Sequence, residues 1–336
     1  MLRKFNAAEG STAYRQVAAL LFAFLWGCGG GGGGGGGGPA GLTPPSSTPV
    51  GVTAANSTQV SATALKPAVG GGALATAGGL ETTAAPQARA LTRALLAVAR
   101  DSKTQLSASQ SVVGAVAQTV QCPYGGSVTR DISADGTSGT FAYNACSFVP
   151  GETISGSISV TGVSSASDGS HFSGNYSYDV TFTETGFLPV RVVGSFLLDE
   201  TCSNFSTRDC TSRFTGTSLG AQQGAETWFI TNFTITEAFV SSTQTSTITA
   251  NYTVSSTALN GSVAVITSTP LQILASARHP HTGVVVAAGS NNSKARVTVL
   301  GSDPTAPDQV KIEVDANGDD IYESTTFYSW STLDAL

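Results

Sequence analysis

The sequence predicts a mainly β protein: an antiparallel β-barrel or a large curved sheet or sandwich, preceded by a short helical segment and a disordered glycine-rich tether. From Ser127 onward, apolar and polar residues alternate with a period of two, as in strands with one buried face. No second helical pattern separates these runs, which favours antiparallel pairing over βαβ units. Between Gly29 and about Pro86, large apolar residues are too few to form a core.

Residues 1–27 form a predicted signal peptide. Arg3, Lys4 and Arg15 precede the apolar run Val17–Trp26, which is the order of a charged n-region and an h-region of about 7–15 residues. A helix that spans hydrocarbon needs about 20 residues, roughly twice the length of this run. We therefore expect the segment to direct the chain across a membrane and not to remain as a transmembrane helix.

The motif Leu25-Trp26-Gly27-Cys28 resembles the lipobox of bacterial lipoproteins, with a leucine, a small residue and an invariant cysteine in the expected places. In that family the cysteine is diacylated, the preceding peptide is removed and the new amino terminus is acylated. The resemblance implies that Cys28 is the site of lipid attachment, and that several acyl chains hold the protein on the bilayer. Because Gly29 and not Asp follows, the family's sorting rule implies the outer membrane of a Gram-negative cell, in either leaflet.

Residues 28–86 are the predicted lipid anchor and disordered tether. From Gly29 to about Pro86 the chain is mostly Gly, Ala, Ser, Thr and Pro, with Lys66 and Glu81 as its charged residues. Such a composition buries too little apolar surface to offset the loss of chain entropy. A flexible segment of this length has a typical end-to-end distance of about 40 Å, so we expect the following domain to stand clear of the bilayer.

Residues 87–121 form a predicted helical lead-in. In Gln87–Lys103, three apolar and three basic residues fall on opposite sides at 100° per residue: Leu91, Leu95 and Val98 against Arg89, Arg93 and Arg100. This helix could lie on an anionic membrane surface or pack on the following domain. Valines from Val112 to Val120 suggest a second short helix that leads to Cys122.

Residues 122–336 are the predicted antiparallel β domain, with about ten to twelve strands. A barrel, a sandwich and a large curved sheet all fit this pattern. A transmembrane barrel is disfavoured because aromatic residues make up only 8% of the chain and many outward positions are Thr, Ser or Gly. Charged residues make up 11% and the net charge is −6, which argues against a nucleic-acid partner.

Five cysteines, less the predicted lipid-bearing Cys28, leave an even number in an oxidising compartment. Three pairings are possible, and the local solution joins Cys122 to Cys146 and Cys202 to Cys210. The stretch from Cys122 to Cys146 resembles segments of uncharacterised β-rich lipoproteins of Gram-negative bacteria. That resemblance implies no activity.

The sharpest local motif runs from Asp315 to Glu323 and is similar to the start of an EF-hand-type calcium loop. Asp315, Asn317 and Asp319 alternate along the chain and Glu323 follows, so their oxygens could bind one calcium ion. Two positions depart from the calcium-loop pattern: Asp320 stands where Gly is expected, and a Thr where the final Glu is expected. The alternative is a β-hairpin with an Asn317-Gly318 turn.

Catalytic motifs are weak. Gly216-Thr-Ser218-Leu-Gly220 matches the nucleophile elbow of hydrolases but lacks the strand-turn-helix setting. His279 and His281 lack a third metal ligand nearby in sequence, and His171 beside Asp168 fits a turn.

The sequence leaves more than one function class open. The first hypothesis is a non-enzymatic, lipid-anchored envelope or surface protein that binds a protein or glycan partner, and an envelope structural role is not distinguished from it. The alternative is a hydrolase of envelope or extracellular polymers that uses carboxylates such as Asp179 and Glu184, which would require two carboxyl groups about 5–10 Å apart in a cleft.

Overall fold

The computed structural model describes residues 41–76 and 117–334, with gaps at 149, 169, 187, 205–208, 275–276, 278 and 302–308. The predicted signal peptide, Cys28, the decaglycine run and the predicted helix Gln87–Lys103 lie outside the described residues.

One antiparallel sheet contains all fourteen strands of the described residues, and each strand pairs with its neighbours in the chain. The two outermost strands do not pair with each other, so the sheet is open and is not a closed barrel. This confirms the prediction of a mainly β, antiparallel fold and selects the large sheet among its alternatives. The strands are β1 Gln118–Gln121, β2 Ser127–Ile132, β3 Gly139–Cys146, β4 Glu152–Ser165, β5 His171–Glu184, β6 Val190–Asn204, β7 Asp209–Gln223, β8 Glu226–Val240, β9 Thr245–Ser256, β10 Gly261–Leu274, β11 Thr282–Ala288, β12 Lys294–Val299, β13 Gln309–Asp315 and β14 Ser324–Ser329.

The period-two pattern corresponds to two different sheet faces. In β5 the buried residues Phe172, Tyr176 and Tyr178 alternate with more exposed Ser, Asn and Asp residues. The strand register places the buried residues of neighbouring strands on the same side of the sheet. A row of directly opposite residues runs from Phe172 in β5 to Ile248 in β9. We call this buried side the inner face and the opposite side the outer face.

A helix, α1, spans Ser57–Thr76, so the prediction of disorder from 28 to 86 is wrong for this part of the tether. It contacts strands from β8 to β13. Its residues from Val60 to Leu65 are each no more than 4% exposed, so every side of this turn and a half is buried. The prediction of disorder rested on a composition with few large apolar residues, whereas small Ala, Ser and Thr side chains let this helix approach its neighbours closely.

The chain reaches α1 through a strap, residues 48–52, that is hydrogen-bonded to the end of the sheet. The Val50 N–H donates to the Ser262 carbonyl at 3.0 Å, and the Ser290 N–H donates to the Val50 carbonyl at 2.8 Å. Glycines permit this approach: a Cβ at Gly261 would lie 2.4 Å from the Val50 side chain, and one at Gly289 would lie 2.0 Å from the Val50 oxygen. The chain therefore first bonds to the sheet at Thr48, more than seventy residues before the predicted start of the β domain at 122.

Two polar contacts attach α1 to the sheet. The Tyr252 hydroxyl donates a hydrogen bond to the carbonyl of Ala64, close to Pro67 inside the helix. Lys66, one of the two charged residues of the predicted tether, lies 3.0 Å from the Glu226 carboxylate. Among the described helices, none combines the length and apolar character needed to cross a membrane.

The ends of the β domain also differ from the prediction. Val120 lies in β1 and pairs with Val128, so the predicted second helix is wrong at this end; β-branched valines favour strands over helices. At the other end a short helix, α2, spans Trp330–Asp334 and buries Trp330 and Leu333 in the core.

Candidate functional site

The loop between β13 and β14 brings three of the predicted calcium ligands together. The carboxylate oxygens of Asp315, Asp319 and Glu323 lie within 4.8 Å of one another. Asn317 also lies in this loop, but its side-chain oxygen accepts the Asp319 N–H at 2.9 Å and its amide nitrogen donates to the Asp319 carboxylate at 3.1 Å. The strands on either side pair as a hairpin, but nine residues, 315–323, connect the paired residues Val314 and Ser324. The hairpin is therefore present without the predicted tight turn at Asn317-Gly318, and its loop is an acidic cluster.

Backbone N–H groups already occupy much of this cluster. Asp315 is fully buried, and its two carboxylate oxygens accept the N–H groups of Gly318 at 2.6 Å and Asp320 at 2.9 Å. The Glu323 carboxylate accepts the Ala316 N–H at 3.0 Å. These bonds stabilise the loop without an ion. Carboxylate oxygens have further lone pairs, so the donor set fits a hard cation such as calcium, and calcium binding stays a prediction.

Asp320 has the backbone conformation that a glycine commonly supplies. Its φ is +67°, in the left-handed region, where Asp is tolerated better than most residues. Its side chain meets the Lys294 ammonium, and this contact raises the pKa of Lys294. The departure from the calcium-loop pattern at this position is therefore a difference in residue type and not in backbone conformation.

An ion-pair cluster on the neighbouring strands supports the same loop. Arg296 donates to the Glu313 carboxylate at 2.9 Å, and Lys311 lies 3.1 Å from the same carboxylate. The hydrogen bond from Arg296 is the main reason that the pKa of Glu313 lies below its ordinary value. The Arg296 guanidinium also lies 4.0 Å from the ring centre of Tyr322, a cation–π contact that connects the loop to the sheet.

The structure contains both predicted disulfides. Cys122 and Cys146 form the β1–β3 disulfide, with Cα atoms 5.5 Å apart, and Cys202 and Cys210 form the β6–β7 disulfide, with Cα atoms 3.9 Å apart. Glu200 lies near the second pair, but both sulfurs are bonded to each other and are not thiolate ligands. The local pairing inferred from the sequence is therefore confirmed.

The nucleophile-elbow pattern lies inside a strand and not at a strand-turn-helix junction. Gly216, Ser218 and Gly220 all belong to β7, where no sharp turn presents the serine. The glycines have a packing role: a Cβ at Gly216 would lie 2.4 Å from the ring of Phe233, and one at Gly220 would lie 2.5 Å from the ring of Phe229. The two glycines of the pattern thus lie where the aromatic rings of Phe233 and Phe229, from β8, pack across β7.

The carboxylates named in the hydrolase hypothesis do not come together. Asp179 and Glu184 are five residues apart in β5, so their side chains leave opposite faces of the sheet. Asp179 accepts two hydrogen bonds from Arg191, at 3.0 and 3.2 Å. It therefore takes part in an ion pair on the outer face.

The histidines have structural neighbours that the sequence did not indicate. The His171 ring lies 3.4 Å from the carboxylate of Asp199 in the next strand, and not beside Asp168 alone. The His279 ring stacks on Trp330, with centroids 4.6 Å apart and planes 3° from parallel. His281 does not join a group of three metal-ligating side chains among the described residues.

Sequence reasoning missed two acidic residues that face inward. Glu200 and Glu237 occupy inner-face positions of β6 and β8, and Glu237 is 1% exposed. The signal was present, because Glu237 continues the alternation of Phe233 and Ile235 along its strand. A period-two reading that includes charged residues would have placed it on the buried face.

No protein-family model matches the chain, and neither does any curated protein or solved structure.

Proposed function

We propose that this chain is a lipid-anchored protein of the cell envelope, and that its β-sheet domain is a non-enzymatic binding or structural module. The motif that ends at Cys28, followed directly by ten glycines, carries the proposal. A lipidated cysteine gives stable membrane attachment only with two or more acyl chains. The lipobox resemblance implies that number, and Gly29 after the cysteine favours the outer membrane.

The strap changes the expected reach of the tether. Twenty residues separate Cys28 from Thr48, the first residue whose backbone bonds to the sheet. A chain of that length spans at most about 70 Å when it is fully extended. A partner in the same membrane or in the adjacent envelope layer lies within that reach.

The disulfides support this compartment. Two disulfides persist in oxidising surroundings such as the periplasm or the cell surface, and they are rare in the cytosol. The hydrolase alternative gains no support from Asp179 and Glu184, since these side chains leave opposite faces of β5.

The outer face is the surface we assign to a partner. It offers exposed Ser, Thr and Asn side chains on β4 and β5, together with charged groups such as Arg213. These groups suit hydrogen bonding to a glycan or to a polar protein surface. The inner face is not equally open, because its residues are buried and α1 packs over part of it.

Mass spectrometry of the mature protein from membranes tests the anchor. We expect Cys28 to be the first residue and to carry acyl chains, and we expect Cys28→Ala to move the protein to the soluble fraction with an intact fold. Gly29→Ala is the matched control and should remain in the membrane. A soluble wild-type product with an unmodified Cys28 would contradict the proposal.

A further inference from the structure

The last strand of the sheet, β14, has one free edge. Among the described residues, Ser324–Ser329 pairs with β13 on one side, and no other strand pairs with it. The backbone N–H and C=O groups that alternate along this edge are therefore a template for a further strand. The opposite edge strand, β1, has only four residues, whereas β14 has six in an unbroken register with β13.

The β14 edge lacks the features that keep free sheet edges apart. Natural sheets block such edges with charged residues, prolines, bulges or a covering element. The strand sequence Ser-Thr-Thr-Phe-Tyr-Ser contains no charged residue and no proline, and its pairing with β13 shows no bulge. The helix that follows, α2, packs against α1 and places Trp330 and Leu333 in the core. The edge of β14 thus has the character of a pairing surface.

Side chains of β14 are exposed on both faces of the sheet. Phe327, on the outer face opposite Lys311, is 56% exposed. Thr326, on the inner face, is also exposed, although its neighbours in the same row, Ile312 and Val297, are no more than 1% exposed. The buried row therefore ends one strand before the edge, and one added strand would cover both exposed side chains.

We propose that β14 pairs with β14 of a second copy of this chain, antiparallel and centred on Thr326, so that the two sheets become one continuous sheet. Thr326 then lies opposite the partner's Thr326 on the inner face. Thr325 lies opposite the partner's Phe327 on the outer face, and Ser324 lies opposite the partner's Tyr328 on the inner face. Because opposite residues of antiparallel strands share a face, this register continues each face of one sheet into the same face of the other.

The chemistry of the strand is complementary to itself, which favours a second copy as the occupant. Threonine pairs form hydrogen bonds across strands, and an aromatic residue opposite a β-branched one is a favourable pair; the proposed register contains both kinds. On the outer face, the row through Thr325 and the partner's Phe327 begins at Glu313 and ends at the partner's Lys311. The flanking charges of each row are therefore opposite in sign.

The size of the contact sets its expected strength. A pair of six-residue strands is small beside the roughly 1,200–2,000 Å² buried in stable complexes, so we expect a reversible dimer whose population rises with concentration. A two-fold contact of this kind closes after two copies. The pairing uses only the sheet, so its test is independent of the proposed anchor at Cys28.

Cysteine cross-linking of the purified full-length chain tests the register. Directly opposite Cα atoms in antiparallel strands are about 4.5–5.5 Å apart, within the range that a disulfide spans. Thr326→Cys should therefore form a covalent dimer under mild oxidation, read on a non-reducing gel. Thr325→Cys is the matched control, because its two cysteines would lie diagonally, about 7–8 Å apart, and should give at least about fivefold less dimer.

Sedimentation velocity over a concentration series tests the pairing without a cross-link. Like charges directly opposite each other are destabilising, so Thr326→Lys and Thr326→Glu, each alone, should weaken dimerisation by about fivefold. A mixture of the two variants should restore it, because opposite charges then face each other. Thr183→Lys, the same change at an exposed position of β5, is the matched control and should dimerise like the wild type. Melting curves verify that every variant folds.

Four results would overturn the proposal. A wild type that is monomeric at every concentration would refute the dimer, as would a dimer that neither charge variant at Thr326 weakens. Equal cross-linking of Thr325→Cys and Thr326→Cys would refute the register. Assembly beyond two copies would indicate head-to-tail pairing of β14 with β1 of the next copy, since such a contact need not close.

Discussion

The burial of α1 leads to a sharp prediction for Leu65. This side chain is 4% exposed and lies in the stretch whose composition indicated a disordered tether. Leu65→Ala removes a buried isobutyl group and leaves a cavity, which in folded cores costs about 2–5 kcal/mol. We expect a loss of about 3 kcal/mol in the free energy of unfolding, because the surrounding helix and sheet relax only in part.

Thermal and urea unfolding of the purified chain measure this loss. For a domain of this size, each kcal/mol changes the melting temperature by about 2–4 °C, so Leu65→Ala should lower it by about 6–12 °C. Leu188→Ala is the matched control, because the same change is made at a side chain that is 60% exposed. Its expected effect is within about 0.5 kcal/mol. Equal stability of the two variants would show that α1 does not contribute to the core.

Three further predictions concern the disulfides, an ion pair and the acidic loop. Replacing both cysteines of the β1–β3 disulfide, whose sequence separation is 24, should lower the free energy of unfolding by about 3.5 kcal/mol. The same change at the β6–β7 disulfide, with a separation of 8, should lower it by about 2.6 kcal/mol. Urea unfolding without reductant measures both losses, and a larger loss at the β6–β7 disulfide would contradict the prediction. Because Arg296 lowers the pKa of Glu313 from its ordinary value of 4.5, the stabilisation from this ion pair is complete above about pH 5 and is lost as the pH falls through the lowered pKa. Between about pH 6 and 3 the melting temperature of Glu313→Gln should therefore fall less than that of the wild type. An equal fall in both proteins would refute this. If the Asp315 loop binds calcium, chelation should lower the melting temperature of the wild type and not that of Glu323→Gln, while an unchanged wild type would indicate a loop stabilised by its own backbone bonds.

Much of the β domain was predictable from short-range pattern. Alternation placed Tyr176 and Tyr178 on one face of a strand, and the spacing of the cysteines indicated both disulfides. The acidic loop was also visible, because Asp315, Asp319 and Glu323 are close in sequence and a hairpin keeps them close in space. These features depend on neighbours along the chain or on adjacent strands, so the sequence alone could indicate them.

Other features depended on residues that are far apart in sequence. The burial of α1 comes from strands that begin at residue 226 and from the contact of Ala64 with Tyr252. Small side chains carry no strong apolar signal of their own, so this helix is recognisable only with its neighbours in place. The decision between barrel and open sheet likewise required the whole sheet, because closure depends on whether strand tilt and stagger bring the first and last strands together.

The sequence by itself thus determined the strand pattern and favoured the disulfides that the structure contains, and it predicts the anchor at Cys28. The tertiary structure decided that the sheet stays open and that Val52 and the residues from Val60 to Leu65 belong to the core. It also decided that Glu200 and Glu237 face the same interior. The physical reason is that periodicity and spacing express local geometry, whereas closure and burial depend on which distant surfaces the folded chain brings into contact.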